Sequence, residues 1–423
     1  MKNYFKSIAL LFGLISISFF QSCSFDDCHE TLKYQIYQPV YKTTEEMRLI
    51  EISDAIPLEN SGKIYVYGKY LIVGELFKGI HIFDNSDPSN PVNLSFISIP
   101  GNVDMAVKSS ILYADNFIDL ISFDISDPAN PKYLSRVENV FHNNISEVNG
   151  QGYIVYYEAT DQIVEQDCST NYGGYYYEDA SGTLGLDVTN GGVKNEGSAT
   201  NVGSITGVGG SMARFTILKD RLYTVDKRDL NVFDVTVPEN PSKVNEIALG
   251  WGIETIYPFK ENLFIGSNSG MFIYSVTDPD NPKYLSQFTH ASACDPVFVS
   301  GNTAYVTLRT GNSCNGIKNQ MDVINIENIT TPKLIKTYIF DNPHGLSIFN
   351  DKLVLCEGDY GLKVLEISDP LKIETKTKYS SPHSYDVIIL GENDVIVVGN
   401  YGLYQYKFDG FELSLLSKIE KTN

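Results

Sequence analysis

The chain has 423 residues, 43% of them hydrophobic, enough to bury a large core. Its formal charge is −20, from 32 basic and 52 acidic residues, a balance that excludes nucleic-acid binding and adhesion to anionic lipid and fits a soluble exported surface. No coherent helical period follows the N-terminal stretch, so the body is expected to be built of strands.

Residues 1–22 read as a signal peptide. Lys2 and Lys6 precede the apolar run Ile8–Phe20, which is too short to span a membrane as a mature helix. Its removal leaves 30 basic against 52 acidic residues, hence a charge of −22. The run ends at Phe20-Gln21-Ser22-Cys23, which resembles the lipobox of bacterial lipoproteins. Ser22 fits that box, while Phe20 and Gln21 depart from its usual Leu and small residue. The resemblance implies a diacylated Cys23 as new N-terminus and an outer-membrane location; ordinary signal-peptidase cleavage is the alternative. Ser24-Phe25-Asp26-Asp27 resembles the acidic surface-export signal of Bacteroidetes lipoproteins, and equally suits a solvated tether.

Residues 23–62 form a tether and lead-in segment with two expected strands, Leu32–Tyr37 and Arg48–Ile52, either of which could help to close a ring. Residues 63–423 are organised by a recurring phrase. Ile121-Ser122-Phe123-Asp124-Ile125-Ser126-Asp127-Pro128-Ala129-Asn130-Pro131 is an apolar strand, a tight turn and the start of another strand. Asp and Ser side chains bond their own backbone in such turns, Pro128 presets φ, and the residue before Pro131 is kept extended. Copies occur at 80–91, 231–241 and 272–282, with weaker ones ending at Pro332 and Pro370.

With Asp124 as register mark, eight copies stand at Asp84, Asp124, Asp187, Asp234, Ser275, Asn325, Glu366 and Lys407. Most gaps are near 41 residues, the length of a four-stranded β-propeller blade. The expected fold is therefore all-β, a propeller of eight four-stranded blades with strands A to D in each, or seven as second choice. Blade three, opening near Ile145 and continuing through Tyr153–Tyr157 to Asp187, lacks the turn prolines and is the reason for the alternative. The phrase resembles that of the LVIVD-repeat family of exported bacterial propellers, best at Ile80–Pro91, Leu120–Pro131 and Leu230–Pro241. That resemblance implies a secreted or lipid-anchored propeller and carries no established chemistry.

In such a ring the B–C and D–A loops share one face, where the two longest insertions fall: Ala159–Ser181, with Tyr175, Tyr176 and Tyr177, and Arg309–Gln320. A tyrosine cluster there suits protein or glycan contact, or a loop that buries its own rings. The same face gathers carboxylates, among them Asp104, Asp115, Glu158, Asp226, Asp295 and Asp386. Rotation of the blades sets equivalent positions in a ring about the axis. Such a ring could hold Ca²⁺ or Mg²⁺, supply a glycosidase pair, or accept backbone N–H bonds that order the loops. No other cofactor is expected. His142, His290, His344 and His383 all precede an A strand, at unequal offsets that make a metal set less expected than loop hydrogen bonding.

In an oxidising compartment Cys294 and Cys314 are the expected disulfide, pinning the second insertion; Cys356 is expected to be a buried free thiol. Walker, HExxH, GxSxG and dinucleotide fingerprints are absent from the sequence. The expected function is non-enzymatic binding or scaffolding at the outer membrane through the acidic loop face, with a propeller glycan hydrolase or lyase as the rival.

Overall fold

The computed structural model describes residues 31–142, 145–167, 207–289, 296–310 and 318–422. The chain divides into two compact units, Met1–Val40 with Tyr156–Leu184 and Tyr41–Val155 with Gly185–Asn423. The first holds most of the strands Thr31–Lys42 and Gly152–Asp167.

The second unit is a ring of seven antiparallel sheets among the described residues, six of them four-stranded and one, blade I, with its four strands extended by one more at each edge. Blade I comprises Ser61–Tyr67, Tyr70–Glu75, Gly79–Asp84 and Val92–Ser98. Blade II runs from Met105–Lys108 to Lys132–Val137, blade III from Phe215–Leu218 to Ser242–Ala248, and blade IV from Ile253–Phe259 to Lys283–Thr289. Blades V, VI and VII open with Val297–Ser300, Leu346–Phe349 and Asp386–Leu390, and the last ends with Glu412–Glu420. Neighbouring blades touch through their A strands from I to VII, and blade VII returns to blade I.

The strands are apolar where the ring requires it. A blade between two others is covered on both faces, so its inner strands lose the usual alternation. Leu71, Ile72 and Val73 are all fully buried, as are Leu353, Val354 and Leu355. The outermost strand, by contrast, alternates: Ser242–Ala248 is exposed at every second residue.

The repeated phrase does two jobs. Asp84, Asp124 and Asp234 each accept, through Oδ1, the N–H two residues on. Asp87, Asp127, Asp278, Asn328 and Asp369 repeat the contact three residues later. Carbonyls of each turn then receive a side chain from the preceding blade. Ser95 Oγ donates to Pro128 O at 2.6 Å, Tyr113 OH to Pro238 O at 2.7 Å and Tyr223 OH to Pro279 O at 2.8 Å. Ser286 donates to Ile329 O, Tyr338 OH to Pro370 O and Ser417 Oγ to Pro88 O, the last at the seam between blades VII and I. Each such bond is worth about 1 kcal/mol.

These clasps select seven blades, the second choice, over eight. Tyr113 belongs to the second blade and Pro238 to the blade expected fourth, and Asp104 of the former reaches Phe215 N of the latter. The ring therefore closes without the segment expected as blade three. Its first two strands exist as a hairpin, with Ser146 opposite Ile154 and Glu147 opposite Tyr153. Its register mark Asp187 lies outside the described residues. The missing turn prolines were the signal: without the turn there is no clasp to join a neighbour.

Among the described residues, closure uses no shared strand. Ser61 Oγ donates to Gly399 O at 3.1 Å, Asn85 and Gln405 exchange two amide bonds at 2.9 and 2.7 Å, and Thr422 N donates to Leu58 O at 2.8 Å. Leu58, Ile64, Leu71 and Phe83 share a core with Ile388, Ile396 and Leu403. Of the two lead-in strands, Glu51–Asp54 adds to the outer edge of blade I, Glu51 opposite Ser98, and leaves closure to these contacts. Just before it, Met47 is buried and Arg48 Nε meets Asp119 Oδ2 at 2.7 Å.

Candidate functional site

Antiparallel order places the B–C hairpins and D–A connections of the ring on one face, and the expected carboxylates can be placed against it. Asp115, at the end of strand B in blade II, accepts from Asn102 Nδ2 at 2.8 Å, Val103 N at 2.8 Å and Asp104 N at 2.9 Å. Burial raises its pKa to about 6 against the pull of those N–H groups. Asp104 Oδ2 accepts the N–H groups of Arg214 and Phe215 and stands 3.4 Å from Lys63 Nζ, which itself donates to Met212 O at 2.6 Å. Asp226 Oδ1 accepts Arg228 N and Asp229 N, both at 2.8 Å. These three acids are thus engaged in ordering backbone. Asp386 is fully buried, and burial holds its pKa well above the usual carboxylate range against the pull of the Val387 and Met212 backbone N–H groups and the Lys63 charge.

What Asp104 orders is a strap across the axis. Gly207 N donates to Val107 O at 3.1 Å, Val208 and Gly209 pair with Val66 and Tyr65, Ser211 Oγ accepts Leu346 N at 3.1 Å, and Ala213 O accepts Ile256 N at 2.8 Å. These partners lie on or beside the A strands of blades I, II, VI and IV, which line the axis. The fit requires glycine: a Cβ on Gly207 would stand 2.1 Å from the Tyr65 ring. Nothing in the phrase signalled this strap, because it belongs to no repeat.

Glu158 belongs to the other unit, where it is exposed and accepts Tyr156 OH at 3.0 Å. Asp295, Tyr175, Tyr176 and Tyr177 lie outside the described residues, as do Cys23, Cys294, Cys314 and His290. Cys356 is a buried free thiol, as expected.

Two of the four singled-out histidines meet on the loop face. His344, leading into blade VI, and His383, leading into blade VII, flank the Tyr385 ring at centroid distances of 5.8 and 4.6 Å. His344 is 4% exposed and Arg309, at the start of the second insertion, is 7% exposed. Burial and then the Arg309 charge keep the His344 pKa well below the ordinary imidazole range; burial also lowers His383. Arg309 itself is brought down by burial to about 10, so it stays cationic at neutral pH. His344 Nδ1, His383 Nδ1 and Asn342 Oδ1 are buried atoms without a hydrogen-bond partner. Sequence flagged the imidazoles individually; their grouping with Arg309 and Asn342 needs three blades in register.

Around this group the face carries exposed rings. Trp251 is 69% exposed with the Arg228 guanidinium 4.4 Å above it, and Tyr360 and Tyr401 occupy the B–C hairpins of blades VI and VII. Elsewhere His142, Asp229 and Glu246 bring ligand atoms within 4.8 Å of one another, but Lys243 already pairs with Glu246.

A scan against protein-family models and a search of curated proteins found no match. Among solved structures, the computationally designed Ika8 protein is similar with a TM-score of 0.50 and 10% identity, over 85% of this chain and 89% of that one. KlHsv2 with loop 6CD replaced by a Gly-Ser linker gives 0.48 at 9% identity, over 84% and 98%. BamB from Moraxella catarrhalis gives 0.46 at 8% identity, over 82% of each. Likenesses at this identity concern the fold alone, which the closed ring of sheets already defines.

Proposed function

We propose that the protein is a recognition propeller without catalytic activity, of the LVIVD-repeat kind. In this reading it is exported, lipid-anchored at Cys23, and engages a protein or glycan through its loop-bearing face. The observation that carries the reading is the division of labour on that face. Asp104, Asp115 and Asp226 are engaged with backbone N–H groups, while Trp251, Tyr360 and Tyr401 are left to solvent. Exposed aromatics at loop tips offer contact area with a polar end, which is what a binding surface uses.

The test is a photo-crosslinking amino acid placed in intact cells at Trp251 or Tyr401, and for comparison at Tyr133 or Tyr284 beside the opposite turns. Adducts from the first pair alone support the reading. Adducts from the second pair alone, from all four sites or from none overturn it. Turnover of any member of a glycan panel by the purified protein overturns its non-catalytic part. The anchor is tested separately by labelling with radioactive palmitate, expected in the native chain and lost in Cys23→Ala.

A further inference from the structure

Two neighbouring blades share a register but differ in charge at one place, and from that difference we infer a zinc site at His142, Asp229 and Glu246. In blade II the third strand opens with Asp119. Arg136, opposite Ile121 on the fourth strand, donates from Nη1 to Asp119 Oδ2 at 2.6 Å. Blade III repeats this register: its third strand opens with Asp229, and Glu246 stands opposite Asn231. The position that holds a cation in blade II therefore holds a second carboxylate in blade III. Asp229 is buried. Two carboxylates brought together repel, the more so away from water, unless a cation joins them. Lys243 answers in part, with one ammonium on Glu246 Oε2 against two acids. Arg228, next to Asp229 in sequence, has its guanidinium over the Trp251 ring instead.

His142 completes a donor set. Its Nε2 stands 3.8 Å from Glu246 Oε1, the oxygen that Lys243 leaves, and ligand atoms of all three side chains lie within 4.8 Å of one another. A carboxylate has two oxygens with about four lone-pair sites, so other bonds to Asp229 and Glu246 still leave a place for a metal. One imidazole and two carboxylates suit Zn²⁺, with a fourth position open to water. Bonds of about 2 Å set the ligands of a tetrahedral ion roughly 3.3 Å apart. His142 and Glu246 are exposed, so side-chain rotation closes the remaining gap and the ion arrives from solvent. Bound there, it ties the way out of blade II, just ahead of the strand Ser146–Val148, to blade III.

Equilibrium dialysis and thermal unfolding of the whole untagged protein, stripped with a chelator and then given zinc chloride alone, test the assignment. One Zn²⁺ per chain is expected, with an unfolding midpoint that rises as zinc is added, because the ion favours the folded state. His142→Ala, a change at an exposed side chain, is expected to weaken binding at least about tenfold. Glu246→Arg rebuilds the pair of blade II; it is expected to abolish zinc binding and to leave the zinc-free midpoint unchanged or higher. No zinc bound by the folded protein, or zinc bound equally by the parent and His142→Ala, overturns the site. Should Glu246→Arg disturb the blade, His142→Ala alone decides.

Discussion

At the scale of single residues, the carboxylates of this ring behave as backbone organisers, and their titration reads out that role. Asp115 has a folded pKa of about 6, above its unfolded value, because burial favours the neutral acid. A proton retained by the folded state and lost from the unfolded one makes stability fall as pH rises. The contribution is complete below about pH 4 and gone above about pH 6, a span of roughly 3 kcal/mol. Asp115→Asn is therefore expected to flatten the difference in chemical-denaturation stability between pH 4 and pH 6; an unchanged slope refutes the assignment. Lys63 is the complementary case. Lys63→Met leaves Asp104 buried beside the strap without its cation, and a loss of about 3–5 kcal/mol is expected in urea unfolding. The sequence offered these acids as a possible metal ring or as loop-ordering acceptors. Composition could not decide, because what separates the two is whether N–H groups from a distant segment, 207–215, arrive at the oxygens.

The repeat element was legible almost to the atom. Proline and Asp at fixed offsets announced a self-bonded turn, and those bonds are present in blade after blade. The second role of the turn, as acceptor for the preceding blade, was invisible, since the donors are a Ser or Tyr on different strands. Tyr113→Phe is expected to lose about 1 kcal/mol through the bond to Pro238 O, and Asp124→Ala about 0.5–2 kcal/mol through its turn. Additive losses in the double variant, measured by thermal unfolding, are expected because the two act on different turns.

At the scale of the whole molecule, counting eight register marks favoured eight blades over seven because the third mark, Asp187, was given a blade of its own, whereas the blades on either side of it in sequence meet directly. The clasp from Tyr113 to Pro238 spans the place where it would have stood. Replacing residues 145–206 with a flexible Gly-Ser linker of about ten residues is therefore expected to preserve a cooperative fold, with a melting temperature within a few degrees of the parent. An intact ring that needed this segment would instead collapse to an aggregating chain. The loop face was foreseeable from the alternation of strands, whereas the strap was not, since the Cβ-free fit of Gly207 against Tyr65 has no local sequence signature.

The hydrogen bond from Thr422 N to Leu58 O joins the last strand to the threshold of the first. Where a body begins and where it finishes are thus the same place, and the order in which its sectors are written is arbitrary. A rearranged gene that links Thr422 to Leu58 through a few glycines and opens instead between Ile339 and Leu346 should yield the same wheel, cut at a different spoke.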